Sequence, residues 1–366
     1  MKRILFLSPN IGVNGGGAER QIVTVASLLK DNGYDIDFLC YCEGDFYAKI
    51  LEEHNIKIHW KIFSNYVKRL FSIRKFIREN RYDVVISFQD TPNFLNCFAA
   101  VGGKKWKVIT SERSAKEDLF YTTKGKIFAW FQRYSDYIVC NSENAKRMWV
   151  KHSHNYKNKI HVIYNSVYIK DIEVNKEYVP KKDNKLHIVV LASYQYLKNP
   201  IGLINAISSM SDDERSRFVI DWYGNHIISN MGSKCYDEAS KLVKEHNLHN
   251  VIHLNKKTEF VNEVISVSDF VALFSSVEGL PNSICEGMTM GKPIIMSRVS
   301  DYEVLVDKDN GFLCDWDNSE SIKNAITMAT CLDNDEIIKQ GNNSQIKAKY
   351  LFSNDAVVKK WIDLIG

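Results

Sequence analysis

The chain is 366 residues long, with 45% hydrophobic residues, 25% charged residues and a formal net charge of +4. At roughly 100–200 residues per domain this length predicts two or three domains, and the apolar content excludes a disordered chain. No run reaches the roughly 20 apolar residues that span a bilayer, and Met1-Lys2-Arg3 leads only into the short run Ile4–Leu7, which is no signal peptide.

A cytoplasmic protein is therefore expected. Its charge is uneven: residues 1–180 carry a net +9 and residues 181–366 a net −5. Two domains with different partners would produce such an asymmetry. The eight cysteines are scattered, mostly within apolar runs, with no CxxC pair. They read as reduced, buried thiols.

In chain order, Ile4–Ser8 reads as a strand, followed by the glycine-rich turn Gly12–Gly17 and a helical pattern over Ala18–Asn32. Further strand-like runs are Ile36–Cys42, Ile56–Trp60, Val84–Ser87, Val108–Ser111, Tyr137–Asn141 and His161–Asn165, with helices over Tyr66–Asn80 and Ser142–Lys151. These strands are continuously apolar, as in a parallel sheet covered by helices on both faces. Residues 170–185 break the pattern: nine of the sixteen are charged and one is Pro180, so the segment reads as an interdomain linker. Alternation resumes at Leu186–Ser193, Phe218–Gly224, Val251–Leu254, Phe270–Ser275, Pro293–Ser297 and Gly311–Asp315, and the tail Asn354–Gly366 is an amphipathic helix. The expectation is an α/β protein of two doubly wound parallel-sheet (Rossmann-like) domains facing across a ligand cleft.

Three loops carry chemistry. Glu278 follows the strand Phe270–Ser275, Gly279-Leu280-Pro281 forms a turn, and a helix starts near Asn282. Amides at a helix start attract anionic oxygens, and Gly279 lets backbone approach a ligand closely. Glu286, inside that helix, can accept hydrogen bonds from a ribose diol, as Glu278 can from a sugar. The turn Gly15-Gly16-Gly17 offers amides to a phosphate or sugar. It fails the dinucleotide fingerprint, because Arg20 stands where the last glycine belongs, and no P-loop Lys-Ser/Thr follows. The third loop is Ser193 to Asn199, with Lys198 near its end.

The string Glu278-Gly279-Leu280-Pro281-Asn282, a second Glu at 286 and Gly291-Lys292-Pro293 resembles the EX7E signature of retaining glycosyltransferases of family 4, which have the GT-B fold. Gly16-Gly17-Ala18-Glu19-Arg20 resembles the same family's first loop. The resemblance implies an acceptor domain over 1–169, a nucleotide-sugar domain over 186–349, and a last helix, about 350–366, that packs back on the first domain. It implies a metal-independent hexosyl transfer without cofactor, from a nucleotide-diphosphate sugar (UDP rather than GDP) to a glycan or lipid-linked glycan, as in polysaccharide biosynthesis. Glu286 would hold the ribose and Glu278 the sugar. Gly16, Gly17, Ser193, Lys198, Gly279, Leu280, Pro281 and Asn282 would surround the rest of the donor, with Glu278 and Lys198 catalytic.

Two positions depart from the family pattern. Ser193 stands where an Arg would share the diphosphate charge, leaving Arg113 or Lys256 as the candidate second cation. The loop after Val84–Ser87 lacks the His that approaches the sugar in many relatives, so Gln89 or Asp90 is the candidate there, and Arg113 joins them on the acceptor side. These departures keep two alternatives open, a nucleotide-sugar epimerase of the same fold and a non-catalytic nucleotide-sugar-binding subunit. Asp35-Ile36-Asp37 and Asp315-Trp316-Asp317 have the D-x-D spacing of metal-dependent transferases; the first lies far in sequence from both phosphate loops, the second follows the strand Gly311–Asp315, and neither is expected to bind metal. Tyr66–Tyr82 is basic and amphipathic, with Val67, Leu70, Ile73 and Ile77 in one apolar stripe. It reads as a crossover helix with a solvated face, or as a peripheral contact with an anionic membrane. No nucleic-acid-binding motif accompanies it.

Overall fold

The computed structural model describes residues 1–13, 17–63, 65–113, 117–167, 185–228 and 232–366. The chain divides into two compact units, Met1–Ser166 with Asn354–Gly366, and Val167–Ser353. The charged stretch read as a linker lies outside the described residues except for Lys185.

The first unit alternates strictly. It runs β1 (Arg3–Ser8), α1 (Gly17–Asp31), β2 (Asp35–Cys40), α2 (Ala48–Glu53), β3 (Lys57–Trp60), α3 (Tyr66–Glu79) and β4 (Val84–Phe88). It continues through α4 (Asp90–Ala100), β5 (Lys107–Glu112), α5 (Asp118–Tyr121), α6 (Thr123–Phe131), β6 (Tyr137–Cys140), α7 (Glu143–His152) and β7 (Ile160–Val162). All pairings are parallel, in the order β3-β2-β1-β4-β5-β6-β7. β1, β4 and β5 are buried almost throughout. That is why they read as unbroken apolar runs: both faces of a central parallel strand are covered.

The second unit repeats the plan. Its elements are β8 (Leu186–Leu191), α8 (Pro200–Ser208), α9 (Asp212–Ser216), β9 (Phe218–Gly224), α10 (Lys234–Glu245), β10 (Ile252–Lys256), α11 (Val261–Ser266) and β11 (Phe270–Leu273). They continue with α12 (Asn282–Thr289), β12 (Ile294–Ser297), α13 (Tyr302–Leu305), β13 (Gly311–Cys314), α14 (Ser319–Thr330) and α15 (Asn334–Phe352). The sheet order is β10-β9-β8-β11-β12-β13, again all parallel. α15 belongs to this unit, and only α16 (Asn354–Ile365) returns to the first. There Trp361 is 1% exposed and stacks on Phe88, ring centroids 5.9 Å apart.

Helix α3 departs from the stripe read in its sequence. Ile73 and Ile77 are buried, but Val67 is 58% exposed beside an equally exposed Phe71. Its arginines are not simply solvated. Arg74 donates to the carbonyls of Phe98, Ala99 and Val101, and Arg78 to those of Ala99 and Gly103. They satisfy carbonyls that α4 leaves open at its end. Arg69 donates to the Phe63 carbonyl and lies over the Tyr41 ring. Seven of the eight cysteines are buried or half-buried, and Cys331 is exposed.

Candidate active site

In an open parallel sheet, ligands bind beyond the carboxyl ends of the strands, where the strand order reverses. In the second unit that point lies between β8 and β11. The loops leaving these two strands are the two that carry Lys198 and Glu278. They are tied together at the backbone: Ser276 N donates to the Leu197 carbonyl at 2.8 Å. Lys198 Nζ lies 2.5 Å from Glu278 Oε1, and Ser275 Oγ donates to the same oxygen at 2.7 Å. The two side chains are only 20% and 11% exposed, so the pair is largely covered by protein. Ser275 is pinned in turn, because Ser297 Oγ donates to its carbonyl at 2.6 Å.

Each loop has a local cause. Asn199 adopts left-handed backbone, φ 63° and ψ 41°, and its Oδ1 accepts from Gly202 N at 3.2 Å. It thereby caps α8, whose first residue is Pro200, the position where a missing N–H costs nothing. The tight turn puts Lys198 at the end of a 3₁₀ segment, Tyr196–Lys198. On the other side Pro281 is the N-cap of α12 and brings no side-chain oxygen to that helix's first amides. Gly279 and Leu280 precede it, and Ser300 Oγ donates to the Gly279 carbonyl. Glu286 is half-buried in the second turn of α12. Two glycines set where that helix lies. A Cβ on Gly287 would sit 2.6 Å from Val271 Cγ2, so its absence lets α12 lie close on β11. Gly291, at φ 68°, closes the helix and turns the chain into β12.

The first unit reverses order between β1 and β4. The loop after β1 leads into α1, where Gly17 is the first helical residue; Gly16 lies outside the described residues. At the end of β4, Gln89 has φ 77° and ψ 163°, a region occupied almost only by glycine. Its amide N donates to the Ser111 carbonyl at 3.1 Å, and its Nε2 to Glu19 Oε1 at 3.1 Å in the first turn of α1. The strained residue therefore bridges the switch point. Asp90, exposed, is the first residue of α4.

Beneath Gln89 lies a buried polar network. Asn93 donates to the Ser111 carbonyl at 3.0 Å and to Glu112 Oε1 at 2.9 Å, and Gln132 Nε2 reaches the same carboxylate oxygen at 3.0 Å. Glu112 is 3% exposed. Burial, and then the nearby Asp90 charge, push its carboxyl up to about 8, against the two hydrogen bonds that favour the ionised form. Arg113 donates to Asn165 Oδ1 and to Ser111 Oγ, and covers the Phe88 ring at 4.8 Å. Burial lowers its guanidinium to about 10. It is built into the first unit's frame.

Both halves of the chain match known sequence families. The family model for Glycosyltransferase Family 4 matches residues 15–170, and that for glycosyl transferases group 1 matches residues 171–343. The fold agrees: HepE of Anabaena, in complex with UDP, superposes over 100% of this chain and 99% of its own with a TM-score of 0.82 and 17% identity. This chain is a family 4 glycosyltransferase of the GT-B fold. Two relatives are more specific in name. An alpha-1,4-N-acetyl-D-galactosaminyltransferase of Campylobacter jejuni, acting on GalNAc-alpha-(1->4)-GalNAc-alpha-(1->3)-diNAcBac-PP-undecaprenol, is 24% identical over 100% of this chain and 99% of its own. The UDP-Gal:alpha-D-GlcNAc-diphosphoundecaprenol alpha-1,3-galactosyltransferase of Escherichia coli is 22% identical over 86% of this chain and 84% of its own.

Within this glycosyltransferase the residues singled out in the sequence fall into two sets. Lys198, Glu278 and the turn Gly279–Asn282 gather at the second unit's switch point, with Glu286 on the helix that follows. Ser193 is in the same loop as Lys198, its hydroxyl accepting from Gln195 Nε2 at 2.8 Å. Gly17, Gln89 and Asp90 gather at the first unit's switch point, with Arg113 at the end of neighbouring β5. Lys256 ends β10, two strands from β8. Three of the four D-x-D aspartates are in ion pairs: Asp35 and Asp37 at the amino end of β2 bind Arg3 at 3.2 Å and 3.0 Å, and Asp315 binds Arg298 at 3.0 Å. Sequence reasoning missed Ser275, Ser300, Glu112 and the role of Glu19. Ser275 had a signal, a hydroxyl three residues before Glu278 at a strand end. Ser300 had none, since its contact depends on a left-handed backbone, φ 56°, from a segment after β12.

Proposed function

We propose that this glycosyltransferase retains anomeric configuration and uses a nucleotide-diphosphate sugar, a UDP-sugar rather than a GDP-sugar, to extend a lipid-linked glycan. The observation that carries the reading is the Lys198–Glu278 pair at the β8/β11 switch point, with Glu286 eight residues further on. Lys198, largely covered and aimed by Glu278, supplies positive charge for a leaving diphosphate. The amides opening α12 supply more through the helix dipole. Oriented charge placed where a leaving group develops its own is a large source of rate. Glu286 takes the ribose diol and Glu278 the transferred sugar, exchanging its Lys198 contact for the sugar hydroxyls. The departing phosphate oxygen accepts the acceptor hydroxyl's proton on the same face, so no separate strong base is needed and no metal is required.

The UDP preference draws on the HepE complex and on the galactosyltransferase relative, whose donor is UDP-Gal. The acceptor draws on the two relatives that act on undecaprenol-diphosphate glycans. The acceptor side is assigned to Gln89 and Asp90 on the first unit, at the inner face of the membrane where such carriers are extended.

Transfer kinetics in the presence of EDTA, with UDP-sugars and a polyprenol-diphosphate glycan, test the reading. Glu286→Ala is expected to raise the donor KM at least about tenfold, since hydrogen bonds to a charged group are lost. Lys198→Ala is expected to lower kcat by roughly 10²–10³, with partial rescue by Lys198→Arg. Wild-type kinetics in both variants, an inverted anomer in the product, or activity lost in EDTA and restored by Mn²⁺ would each overturn a part of it. Sugar isomerisation without acceptor would reveal an epimerase, and tight donor binding without turnover a binding subunit.

A further inference from the structure

Helices α3, α4 and α6 lie on one face of the first unit's sheet, and α4, between the other two, is almost wholly buried. Its neighbours are not. On α3, Val67 and Phe71, one turn apart, are each 58% exposed; on α6, Ile127 and Trp130, also one turn apart, are 48% and 46% exposed. An amphipathic helix normally turns such residues inward. Here both helices turn an apolar ridge outward while burying a second one.

The two ridges belong to one surface. Phe71 meets Phe98 edge-on at 5.8 Å, Phe98 lies 6.3 Å from Phe131, and Phe131 meets Trp130 at 5.1 Å. A continuous run of aromatic rings therefore crosses α4 from one exposed ridge to the other. Cations surround it. Lys68 is exposed and follows Val67 on α3, Lys126 is exposed and precedes Ile127 on α6, Lys124 lies over the Phe128 ring at 5.2 Å, and Arg133 lies over the Trp130 ring at 3.9 Å. Acidic residues are scarce: α6 contains none, and α3 contains only Glu79 in its last turn, 3.8 Å from Lys75.

We infer that this α3/α6 face docks on the surface of an anionic lipid bilayer, which deepens the proposed reading of a lipid-linked acceptor and rests on it for its purpose. Rings and aliphatic side chains enter the headgroup–acyl boundary, as interfacial Trp and Phe do, and the long lysine stems reach up to the phosphates. Charge complementarity chooses this occupant. A second copy related by a two-fold axis would set the same cations against each other, at a cost no matching carboxylates offset. The arginines of α3 keep their charge and add to the positive field, but Arg69, Arg74 and Arg78 are held on backbone carbonyls, so the lysines make the direct phosphate contacts. No described helix is long and apolar enough to cross a membrane, so attachment of this kind would be reversible.

Co-sedimentation of the full chain with vesicles of phosphatidylcholine alone, and of phosphatidylcholine with phosphatidylglycerol in equal parts, tests the inference. Binding is expected to the anionic vesicles only and to weaken with salt. Lys124→Gln and Lys126→Gln should each lower partitioning about fivefold. The pair Phe71→Ser with Trp130→Ser should lower it at least about tenfold. Unchanged melting temperature and unchanged donor binding in the variants show that the fold and the donor site are intact. Equal partitioning to both vesicle types, unaltered partitioning of the variants, or a dimer in solution that the double variant dissolves would overturn it. Transfer to a water-soluble acceptor fragment separates the two readings. If it persists while vesicle binding fails, the docking face is wrong and the enzyme assignment stands. If vesicle binding persists while every acceptor fails, the reverse holds.

Discussion

Gln89 and Glu112 show how much individual residues are asked to bear. Gln89 holds a backbone conformation that costs a side-chain-bearing residue about 1–3 kcal/mol, and its Nε2 bond to Glu19 ties the end of β4 to the start of α1. The strain survives because the surrounding network over-determines it: its own N–H bonds Ser111, and Asn93 binds both Ser111 and Glu112. At an ordinary position glycine is less stable than alanine by roughly 0.5–1 kcal/mol. At position 89 that order should invert. Both variants lose the Glu19 contact, but only Gln89→Ala keeps the strain, so urea unfolding is expected to rank Gln89→Gly above Gln89→Ala by about 1 kcal/mol. The usual order would show the conformation to be unstrained. None of this was legible in the sequence. Phe88-Gln89-Asp90 named the candidates, but a φ near 77° follows from what β4, β5 and α1 impose together.

At the scale of elements, α12 joins packing to the proposed chemistry. It is short, eight residues, and carries Glu286 on one side while Gly287 lies against β11. A methyl at 287 would meet Val271, one of the fully buried residues of the central strand, at 2.6 Å from its Cγ2. Neither can yield cheaply, so Gly287→Ala should lift α12 off the sheet. Overpacking of this sort costs about 1–3 kcal/mol. A lowered melting temperature is expected together with a raised donor KM, because Glu286 moves with the helix. Lost stability at wild-type KM would mean that Val271, not α12, gives way. The strands here were legible in the sequence, since burial on both faces writes an apolar run that needs no partner to be recognised. Helix faces were less so. In α3 the expected stripe of Val67, Leu70, Ile73 and Ile77 splits: Ile73 and Ile77 are buried and Val67 is 58% exposed, because burial depends on which neighbour packs on each turn. The α3 arginines misled for a similar reason, finding acceptors at the end of α4 that spacing along α3 cannot reveal.

For the molecule as a whole, the chain's order and its folding units do not coincide. The first unit is completed by residues from the far end, after the whole second unit has been threaded. Val357, Trp361, Leu364 and Ile365 of α16 are buried in that unit, and Lys107 donates to the Leu364 and Ile365 carbonyls at 2.8 Å and 3.0 Å. Trp361 stacks on Phe88, the residue before Gln89. Trp361→Ala is expected to cost about 3–5 kcal/mol. Limited proteolysis should then cut first within residues 1–166, although the substitution is nearly 200 positions away in sequence. Cleavage confined to the second unit would show that α16 is dispensable to the first.

By itself the sequence determined the class of chain and the parallel strands found among the described residues, and it named the loops proposed to carry the chemistry. Those properties are local: a strand buried on both faces needs an apolar run, and a turn into a helix needs Gly, Pro or a cap within a few residues. The tertiary structure decided which loops meet. Lys198 and Glu278 are 80 positions apart and lie 2.5 Å from each other because β8 and β11 are neighbours at a reversal of strand order. It also decided that Gln89 is strained, that Glu112 is buried beside Asp90, and that the aromatic residues of α3 and α6 form one cationic-rimmed face. The reason is the same in each case. Adjacency across a sheet and burial beneath a neighbouring helix depend on strand order, which no stretch of sequence contains.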